Sequence, residues 1–541
     1  MTADRTYPDL HEHVRRLEEA GRLIRVTRPI DKNTELHPLV RWQFCGGMPA
    51  DDRKAFLFEN VVDGKGRAYD MPVLVGALAS NRAIYAQSMG CDLDDVGSTW
   101  AKAIAEPIEP MLVDDAPCQE VVFEGDALKS NGLDALPVPI STPGWDNGPY
   151  LTSAHYITRD PDTGVQNSGN YRGQIKSPTC VGMNASHELN QGITTHWNKA
   201  RAKGEPLPCA IVVGAPPCVT LTAVQKIPIG VDEHAVAGGL VGEPLRVVKA
   251  RTVDVLVPAD AEIVIEGLIN TEFLEPEAPF GESHGHVNLQ EYNAFMEVTA
   301  ITRRREAIFP SILSQVTPSE SSLIKRLAYE ERFTTTLREI GIHGLKRVFL
   351  HEPLTNIRKF VVLVFERGAE ETNVWRALYA ASSLQNAVGK FTIAVDDDID
   401  PDSTDALLWA LAYRMDPRRD MQVVEHRSWG HGPAGPMDDG QDAAILMDAT
   451  LKRPYPPISL PKREYMEHAR GIWEELGLPA LEPKAPWFGY SLGDWSDEFE
   501  QEAKLAVSGD FWQTAEKNAA RRRSDVPMNA PVRKFEENDH A

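Results

Sequence analysis

The stretch "LRVVKARTVDVLVPADAEIVIEGLI", residues 245–269, decides the fold class of the middle of the chain. It consists of short runs of β-branched and other apolar residues, separated by charged residues, a proline and a glycine. Runs of this length and composition predict β-strands, and their close succession predicts an antiparallel barrel or sandwich. Similar runs lie on either side, in "PLPCAIVVGAPP" (206–217) and "FMEVTAITRRREAIFPSIL" (295–313). We therefore predict a β-rich segment from about residue 118 to about residue 315.

Helices and strands alternate on both sides of this segment. Residues 8–22 have the apolar spacing of an amphipathic helix. A second helix is predicted at 318–340, with Ser319 or Ser321 as its N-cap. Residues 345–430 alternate strand-like and helix-like runs, which predicts an α/β layer with a mostly parallel sheet. The whole chain is therefore predicted to be a multidomain α/β protein.

Bulk composition limits the classes of partner. The 541 residues include 56 Lys and Arg against 79 Asp and Glu, a formal net charge of −23. This charge argues against a nucleic-acid partner, but it leaves room for a small anion held by a few arginines. Neither a signal-peptide apolar region nor a membrane-spanning apolar run is apparent, and the six cysteines show no CxxC spacing. We expect a reduced, cytoplasmic protein.

The segment "EPEAPFGESHGHV", residues 275–287, places two carboxylates at an unusual spacing. Glu277 and Glu282 are five residues apart, which on a helix directs them about 140° away from each other. On a straight strand the odd offset sends them to opposite faces. The two glutamates share a site only if residues 279–281 bend the backbone. The segment is therefore either a surface loop with incidental acids or a built site.

Other polar residues of the β-rich segment are candidates for a metal or anion site. In "NSGNYR" (167–172), Asn167 and Arg172 also differ by an odd number, and a bulge at Gly169 would bring both to one face. Together with His187 and Glu233, Asn167 offers the mixed nitrogen and oxygen donors that suit Mg or Mn and, less selectively, iron or zinc. The ordinary interpretation is a set of solvated polar residues on barrel strands.

The motif "SHGH", residues 283–286, allows a different metal site. His284 and His286 have the spacing of one strand face, with Glu277 or Glu282 available as a base. Two other motifs are weaker evidence for a binding site. "GGLVG" (238–242) lacks the spacing of a dinucleotide-binding loop, and "DDDIDPDSTD" (396–405) reads as a strand-to-helix connection rather than a calcium loop.

Taken together and in order, these segments resemble the UbiD family of decarboxylases, which use prenylated FMN. The resemblance covers about residues 8–480 and includes "NSGNYR", "IPIGVDEHAVAGGLVGEPLRVVK", "PEAPFGESHGHV", "KFTIAVDDDIDPDSTDALLWALAYRMDP" and "MDATLKRPYP". The combination of "VDEHAVAGGL" with "PEAPFGE" is highly specific. The family's cofactor takes up the electron pair that stays on the substrate carbon as CO₂ departs, and a flavin prenyltransferase of UbiX type supplies this cofactor.

The resemblance implies a domain plan in which a flavin-reductase-like split β-barrel binds the cofactor. It also implies a homodimer or homohexamer assembled through the C-terminal domain. The predicted divisions are an N-terminal α/β domain (1–116), the split barrel (117–316), a linker helix (317–342), a C-terminal α/β domain (343–480) and a helical tail (481–541).

The resemblance also implies roles for individual residues. Arg172, Glu277 and Glu282 match the catalytic network, with Arg172 holding the carboxylate beside an ionised Glu277 and Glu282 exchanging a proton with the substrate carbon. Asn167, His187 and Glu233 match ligands of a divalent metal, usually manganese, that ties the cofactor phosphate to the protein; His196 is a rival to His187. The predicted cofactor contacts are Asn167, Ser168, Gly169, Asn170, Tyr171, Arg172, Met183, Ser186, His187, Glu233 and Lys390.

Further implied features concern a potassium ion and the substrate. Thr222, Ala223 and Gln225 match a potassium-binding loop, with Arg414 in the supporting network. Because Ser283 is a small polar residue at a pocket position, we expect an aromatic or heteroaromatic acid with polar substituents. Two alternatives stay open: a metal-dependent hydrolase that uses the "SHGH" histidines with Glu282, and a non-catalytic flavin-binding subunit.

Overall fold

The structure is a computed structural model of the 541-residue chain. It describes residues 5–185, 191–225, 227, 230–352, 358–385, 388–428, 441–453, 456–483 and 496–532. Within these ranges, no helix combines the length and the apolar character that spanning a membrane requires. All six cysteines lie in these ranges, and none is joined to another by a disulfide.

The first region is a small α/β unit. Its helices are α1 (Leu10–Glu19), α2 (Leu36–Cys45), α3 (Arg82–Met89) and α4 (Val96–Ala105). Its strands are β1 (Leu23–Val26), β2 (Ile30–Asp31), β3 (Ala55–Phe58), β4 (Val61–Val62), β5 (Val73–Val75) and β6 (Met111–Leu112). The helix predicted at 8–22 is confirmed as α1, where the Asp9 carboxylate accepts a hydrogen bond from the Glu12 backbone N–H at 2.9 Å.

The central region carries most of the strands. Its helices are α5 (Asp126–Ser130), α6 (Gly192–Lys203), α7 (Pro217–Val224) and α8 (Glu233–Val241). Its strands are β7 (Val121–Glu124), β8 (Tyr150–Leu151), β9 (His155–Arg159), β10 (Gln166–Asn170), β11 (Gly173–Ser177), β12 (Cys180–Met183), β13 (Leu207–Val213), β14 (Arg246–Lys249), β15 (Leu256–Pro258), β16 (Ile263–Ile269), β17 (Glu275–Glu277), β18 (Phe280–Gly281), β19 (Val287–Asn288), β20 (Glu291–Arg303) and β21 (Phe309–Ser311).

Ten of these strands form one antiparallel sheet, in the order β10-β9-β13-β16-β20-β12-β11-β8, with β7 and β17 also paired to β20. The predicted antiparallel, β-rich segment is confirmed. The stretch 245–269 divides between two sheets. Strand β14 lies between β15 and β6 in a three-stranded sheet, whereas β16 lies in the middle of the ten-stranded sheet.

The middle of the ten-stranded sheet is buried on both faces. Along β13, Cys209, Ile211 and Val213 belong to one apolar cluster, and the intervening Ala210 and Val212 belong to another. Successive side chains of a strand point to opposite faces, so the continuous apolar run of β13 serves two cores at once. The sheet is therefore a rigid frame for the residues at its ends.

Helix α9 (Glu320–Glu339) connects this region to the C-terminal sheet and packs against both α4 and the first strand of that sheet. Ser319 is its N-cap and accepts a hydrogen bond from the Ser322 N–H, so the predicted helix and the first of its two candidate caps are confirmed.

The C-terminal elements are β22 (Leu345–Leu350), β23 (Phe360–Phe365), α10 (Glu371–Ser383), β24 (Phe391–Asp396), α11 (Thr404–Arg414), β25 (Met421–Ser428) and β26 (Gln441–Asp448), followed by α12 (Arg463–Glu475), α13 (Asp497–Ser508) and α14 (Trp512–Ala520). The sheet order is β22-β23-β24-β26-β25. The β23–β24 and β24–β26 pairs are parallel, but β22–β23 and β25–β26 are antiparallel. The prediction of a mostly parallel sheet is therefore wrong, because both edge strands run against their neighbours.

Candidate active site

The turn between Glu277 and Glu282 has the bend that their spacing requires. Glu277 ends β17, which pairs with β20, whereas residues 280–281 form β18, which pairs with β19. Between the two strands Ala278 has a φ of +82°, in the left-handed region that non-glycine residues rarely adopt. The chain changes sheets within three residues, and both carboxylates reach the same arginine.

Residues 142–147 hold this turn from outside. The Asp146 carboxylate accepts hydrogen bonds from the Gly281 N–H at 2.7 Å and from the Thr142 N–H at 2.6 Å. Asn147 donates from its side chain to the Ala278 carbonyl at 2.8 Å. Burial raises the pKa of Asp146 to about 6, although these backbone hydrogen bonds oppose the shift. The sequence did not indicate these hydrogen bonds, because Asp146 lies 135 residues from its partner Gly281.

Arg172 joins the two glutamates. Its Nε and Nη2 donate to the two carboxylate oxygens of Glu277 at 3.0 and 2.7 Å, and its Nη1 contacts Glu282. The side chains of Arg172 and Glu277 are 8% and 1% exposed, whereas that of Glu282 is 23% exposed. Glu277 is thus buried behind the arginine, and Glu282 lines a cavity in front of it.

The charge of Arg172 is secured by its neighbours. Burial acts against the guanidinium cation, but Glu282 and Glu277 outweigh this effect and raise the pKa of Arg172. The guanidinium also lies over the ring of Phe280, 4.9 Å from its centroid, a cation–π arrangement.

Two asparagines complete the surroundings of Glu277. The side-chain amides of Asn184 and Asn293 donate to its Oε2 at 3.0 and 3.4 Å. Asn184 follows β12 and forms an isolated bridge with Arg172, so backbone pairing places it beside the ion pair. Neither asparagine was predicted from the sequence.

A cavity of about 150 Å³ opens in front of this group. The ionisable or polar side chains that line it include Arg172, Glu282, Ser283, His284, Lys325 and Arg358. Ser283 is thus confirmed as a pocket residue. Met183 instead lines a small separate cavity with Trp197, because it points away from its neighbour Asn184. Its contact with a cofactor stays a prediction.

A second polar cluster lies around Asn167 and Glu233. Glu233 is the first residue of α8 and accepts hydrogen bonds from the Asn167 side-chain amide at 2.7 Å and from the Ser168 N–H at 2.8 Å. Burial raises the pKa of Glu233 to about 7, with these hydrogen bonds opposing the shift. Among the described residues, Asn167 Oδ1, Ser168 Oγ and Gln191 Oε1 are buried without a hydrogen-bond partner. Buried oxygens beside a buried carboxyl group fit a cation or a phosphate-bearing ligand.

The third predicted metal ligand, His187, lies outside the described residues, as does Ser186. Its rival His196 is on α6, with Nδ1 2.8 Å from the Thr158 hydroxyl. Over the part of the chain that the structure describes, no group of three His, Cys, Asp or Glu has a metal-binding arrangement. The choice between His187 and His196 stays a prediction.

The bulge predicted at Gly169 is wrong. Strand β10 pairs with β9 in unbroken register from Gln166 to Asn170, and Arg172 lies beyond the strand. A Cβ at Gly169 would lie 2.6 Å from Cζ of Tyr171, so this glycine is needed for the tyrosine ring to pack over the strand. Asn167 and Arg172 consequently serve two different clusters.

Two other predicted contacts have their own partners. Asn170 accepts from the Ala154 N–H at 2.9 Å and donates to the Thr152 carbonyl at 3.2 Å, which fixes the end of β10. Lys390 Nζ lies 2.8 and 2.9 Å from the two carboxylate oxygens of Asp442 in the C-terminal sheet. A role for Lys390 at the cofactor stays a prediction.

The predicted potassium loop falls at the end of α7. Thr222 and Ala223 are in the helix, where the Thr222 hydroxyl donates to the Val219 carbonyl at 2.9 Å, and Gln225 is the C-cap. Arg414 binds Asp396 at 3.0 Å and Asp398 at 2.7 and 2.8 Å in the C-terminal region. The potassium ion stays a prediction.

One of the two "SHGH" histidines, His284, is occupied by hydrogen bonds within the loop. His284 Nδ1 accepts from the His286 N–H at 3.3 Å, and its Nε2 lies 2.8 Å from the Asn288 side-chain oxygen. Both ring nitrogens of His284 are therefore engaged, so His284 has no free nitrogen lone pair to offer a metal together with His286. This geometry favours the site at Asn167 and Glu233 over a hydrolase site at "SHGH".

Comparison with known proteins agrees with this geometry. Three models of 3-octaprenyl-4-hydroxybenzoate carboxy-lyase match the chain: the N-terminal domain of UbiD at residues 14–104, its Rift-related domain at 111–316 and its C-terminal domain at 326–445.

Solved structures of UbiD-class enzymes are also similar. HmfF from Pelotomaculum thermopropionicum in complex with FMN is 31% identical, over 86% of this chain and 100% of that one, with a TM-score of 0.75. An evolved dimeric form of that enzyme in complex with prFMN is 30% identical, over 85% and 99%, with a TM-score of 0.73. Vanillic acid decarboxylase of Sedimentibacter hydroxybenzoicus is 25% identical, over 87% and 99%, with a TM-score of 0.71.

Proposed function

Since the protein belongs to the UbiD family of carboxy-lyases, we propose that it catalyses the reversible, non-oxidative decarboxylation of an aromatic, heteroaromatic or α,β-unsaturated acid. The observation that supports this most is the contact of one buried arginine with two glutamates of unequal exposure. Arg172 is held in place by the sealed Glu277, and Glu282 stands at the cavity.

Arg172 and Glu277 position the substrate carboxylate. The guanidinium has five N–H donors in a fixed fork, and it uses Nε and Nη2 for Glu277. A carboxylate that enters the cavity competes with Glu282 for Nη1 and does not disturb the Glu277 pair. The arginine is therefore oriented before the substrate arrives, and binding does not have to order it.

Glu282 is the proton carrier. When the bond between the ring carbon and the carboxyl group breaks, the electron pair that stays behind must take up a proton, and Glu282 donates it. In the carboxylation direction the same carboxylate removes that proton. The contact with Arg172 and the hydrogen bond from the Ser283 N–H at 3.2 Å hold the Glu282 side chain in position before the reaction.

Prenylated FMN, when bound, supplies the electron sink that an sp² carbon requires and that no side chain provides. Asn167, Glu233 and His187, which lies outside the described residues, would hold its phosphate through manganese or another divalent ion, and Ser168 would contact the cofactor. The unpartnered buried oxygens of Asn167 and Ser168 fit this role. Bound there, the metal would neutralise the charge of the phosphate.

The remaining assignments follow the family. We propose the split-barrel topology and the domain divisions given above, a cytoplasmic homodimer or homohexamer, a UbiX-type prenyltransferase as supplier of the cofactor, and bound potassium. Nucleic acid and membranes are not expected as partners.

The proposal is tested by purification after co-expression with a flavin prenyltransferase, followed by a panel of aromatic acids with and without concentrated bicarbonate. Glu282→Gln is expected to abolish CO₂ release and deuterium exchange at the product carbon. The matched control is Glu291→Gln, an exposed glutamate directly opposite Glu277 in the β17–β20 pair. Exchange at full rate in Glu282→Gln would show that another group carries the proton. Cofactor binding without turnover of any acid would favour a non-catalytic subunit.

A further inference from the structure

A second, internal cavity lies next to the one in front of Arg172. Its volume is about 20 Å³, and three parts of the chain meet around it: the turn after β5 (76–78), the residues after β13 (214–215) and the first residue of α9, Glu320. All but Pro310 of the residues that line it are buried. It is therefore a space inside the fold and not a surface groove.

One layer of side chains separates the two cavities. Thr152 lines the cavity in front of Arg172, whereas the next residue, Ser153, lines the internal cavity. Ser311 also lines the internal cavity, and its hydroxyl oxygen lies 3.0 Å from Thr152 Oγ1. The Ile312 N–H donates to the same Thr152 oxygen at 2.9 Å. The boundary between the cavities therefore consists of Thr152 and the residues that it contacts.

This boundary is close to Arg172. The side-chain amide of Asn170 donates to the Thr152 carbonyl at 3.2 Å, and Arg172 is two residues beyond Asn170 in the chain. All three residues line the same cavity. A molecule that is released from Arg172 into that cavity consequently starts near its boundary with the internal cavity.

The hydroxyl groups of Thr220 and Ser311 at the internal wall are held by buried histidines. Thr220 Oγ1 lies 3.0 Å from His155 Nε2, and Ser311 Oγ lies 2.9 Å from His37 Nε2. Burial lowers the pKa of His37 to about 4 and that of His155 to about 3, so both imidazoles are neutral at neutral pH. The rest of the wall is largely apolar and includes Leu10, Leu74, Ala77, Leu78, Ala215 and Ile312.

The carboxylate of Glu320 also reaches this wall, and the backbone satisfies it. It accepts hydrogen bonds from the N–H groups of Gly76 at 3.0 Å, Leu78 at 3.1 Å and Leu313 at 3.2 Å. Three donors supply the partners that a buried carboxylate requires. Glu320 therefore does not need a water molecule or a cation from the cavity.

The size and polarity of the internal cavity suit a small neutral molecule. A water molecule needs roughly 10–15 Å³ and two to four polar partners. The internal cavity is larger than this minimum, and the polar groups named above already have partners within the protein. CO₂ carries neither charge nor net dipole and is a weak hydrogen-bond acceptor, so it loses less than water does on entering such a space.

On the premise of the decarboxylase function, we infer that the internal cavity is a binding pocket for CO₂. When the bond between the ring carbon and the carboxylate carbon breaks, the electron pair stays with the substrate and CO₂ leaves as a neutral molecule. Rotation of the Thr152 side chain lets CO₂ pass into the internal cavity. There it is kept apart from the substrate carbon while that carbon takes the proton of Glu282, and in the carboxylation direction the same pocket supplies CO₂.

Pressurising crystals of the flavin-loaded protein with CO₂ tests binding independently of turnover. Linear electron density is expected in the internal cavity of the wild-type protein and of Ile312→Val, which removes one methyl group from the wall. Ala215→Val narrows the cavity and should lose this density, whereas Ala127→Val, at an exposed position of α5, should keep it. Ordered water alone in the wild-type cavity would overturn the inference, as would CO₂ at full occupancy in Ala215→Val. If Ala215→Val does not fold, the wild-type and Ile312→Val crystals decide.

Exchange of labelled CO₂ into the acid by the prenylated enzyme provides a second measurement. In Ala215→Val the CO₂ concentration that half-saturates this exchange should rise roughly tenfold, the lower end of the range for one methylene in an apolar pocket. Deuterium exchange at the product carbon should persist, because Arg172 and Glu282 are unaltered. An unchanged half-saturating concentration would overturn the pocket and leave the decarboxylase function standing. Absence of exchange with every acid would contradict the decarboxylase function itself, even if the crystals bind CO₂.

Discussion

Arg172 and Glu277 meet through two parallel hydrogen bonds, Nε to Oε1 at 3.0 Å and Nη2 to Oε2 at 2.7 Å, with both side chains nearly sealed from solvent. Glu282 touches the same guanidinium from the cavity side and is 23% exposed. Two glutamates of one turn thus hold one arginine in unequal surroundings. The consequences of this inequality are measurable.

The same substitution should act differently at the two glutamates. Glu277→Gln leaves half of a buried ion pair and should lower the free energy of unfolding by about 3 kcal/mol. Glu282→Gln should lower it by no more than about 1 kcal/mol, because this carboxylate is partly hydrated. Urea unfolding of the flavin-free proteins under identical conditions measures both. A larger loss at Glu282 than at Glu277 would contradict the division of roles.

Arg172→Lys should impair activity more than stability. A lysine retains the charge but presents one point of attachment, so it cannot hold Glu277 by two bonds and the substrate by a third. We expect kcat/KM to fall roughly 100-fold or more, in line with the loss of an oriented electrostatic contact. Arg25→Lys is the matched control, because Arg25 binds Glu18 through the same Nε and Nη2 fork on the surface. Equal effects in the two variants would argue against a role for the fork in catalysis.

The site was predictable from the sequence only in part. The five-residue spacing of Glu277 and Glu282 required a bend, and the bend is present, but the arginine that they share was indicated by family resemblance alone. Lys325 was not found, since it lies in a helix whose pattern indicates burial and not a cavity. Its neighbours at the cavity come from distant segments, and pairing of distant strands leaves no local signal.

Two wrong predictions have physical reasons of the same kind. Strands β22 and β23 follow one another closely, so they return as an antiparallel pair, and the alternation of strands and helices masked this exception. At Gly169 the glycine indicated a special backbone position. What the position needs is room for the ring of Tyr171, which only the packed structure shows.

Gly192→Ala should weaken metal binding although it replaces none of the proposed ligands. A Cβ at Gly192 would lie 2.5 Å from Oδ1 and 2.6 Å from Cγ of Asn167, so the asparagine must move away from Glu233. Displacing a group that orients a metal site typically costs 10- to 100-fold in affinity, and we expect a loss of about that size. Metal content after dialysis, measured by mass spectrometry, tests this. Gly471→Ala is the control, since its added Cβ meets open space, and unchanged manganese in Gly192→Ala would remove Asn167 from the ligand set.

Asp146→Asn should loosen the catalytic turn. The two carboxylate oxygens accept from the Gly281 and Thr142 N–H groups, and an amide retains only one acceptor oxygen. We expect a loss of about 1–2 kcal/mol in stability, the cost of one unsatisfied buried donor. Activity should fall as well, because Gly281 immediately precedes Glu282. A variant that unfolds at a lower urea concentration with unchanged kcat would show that the Asp146 hydrogen bonds stabilise the fold and do not affect catalysis.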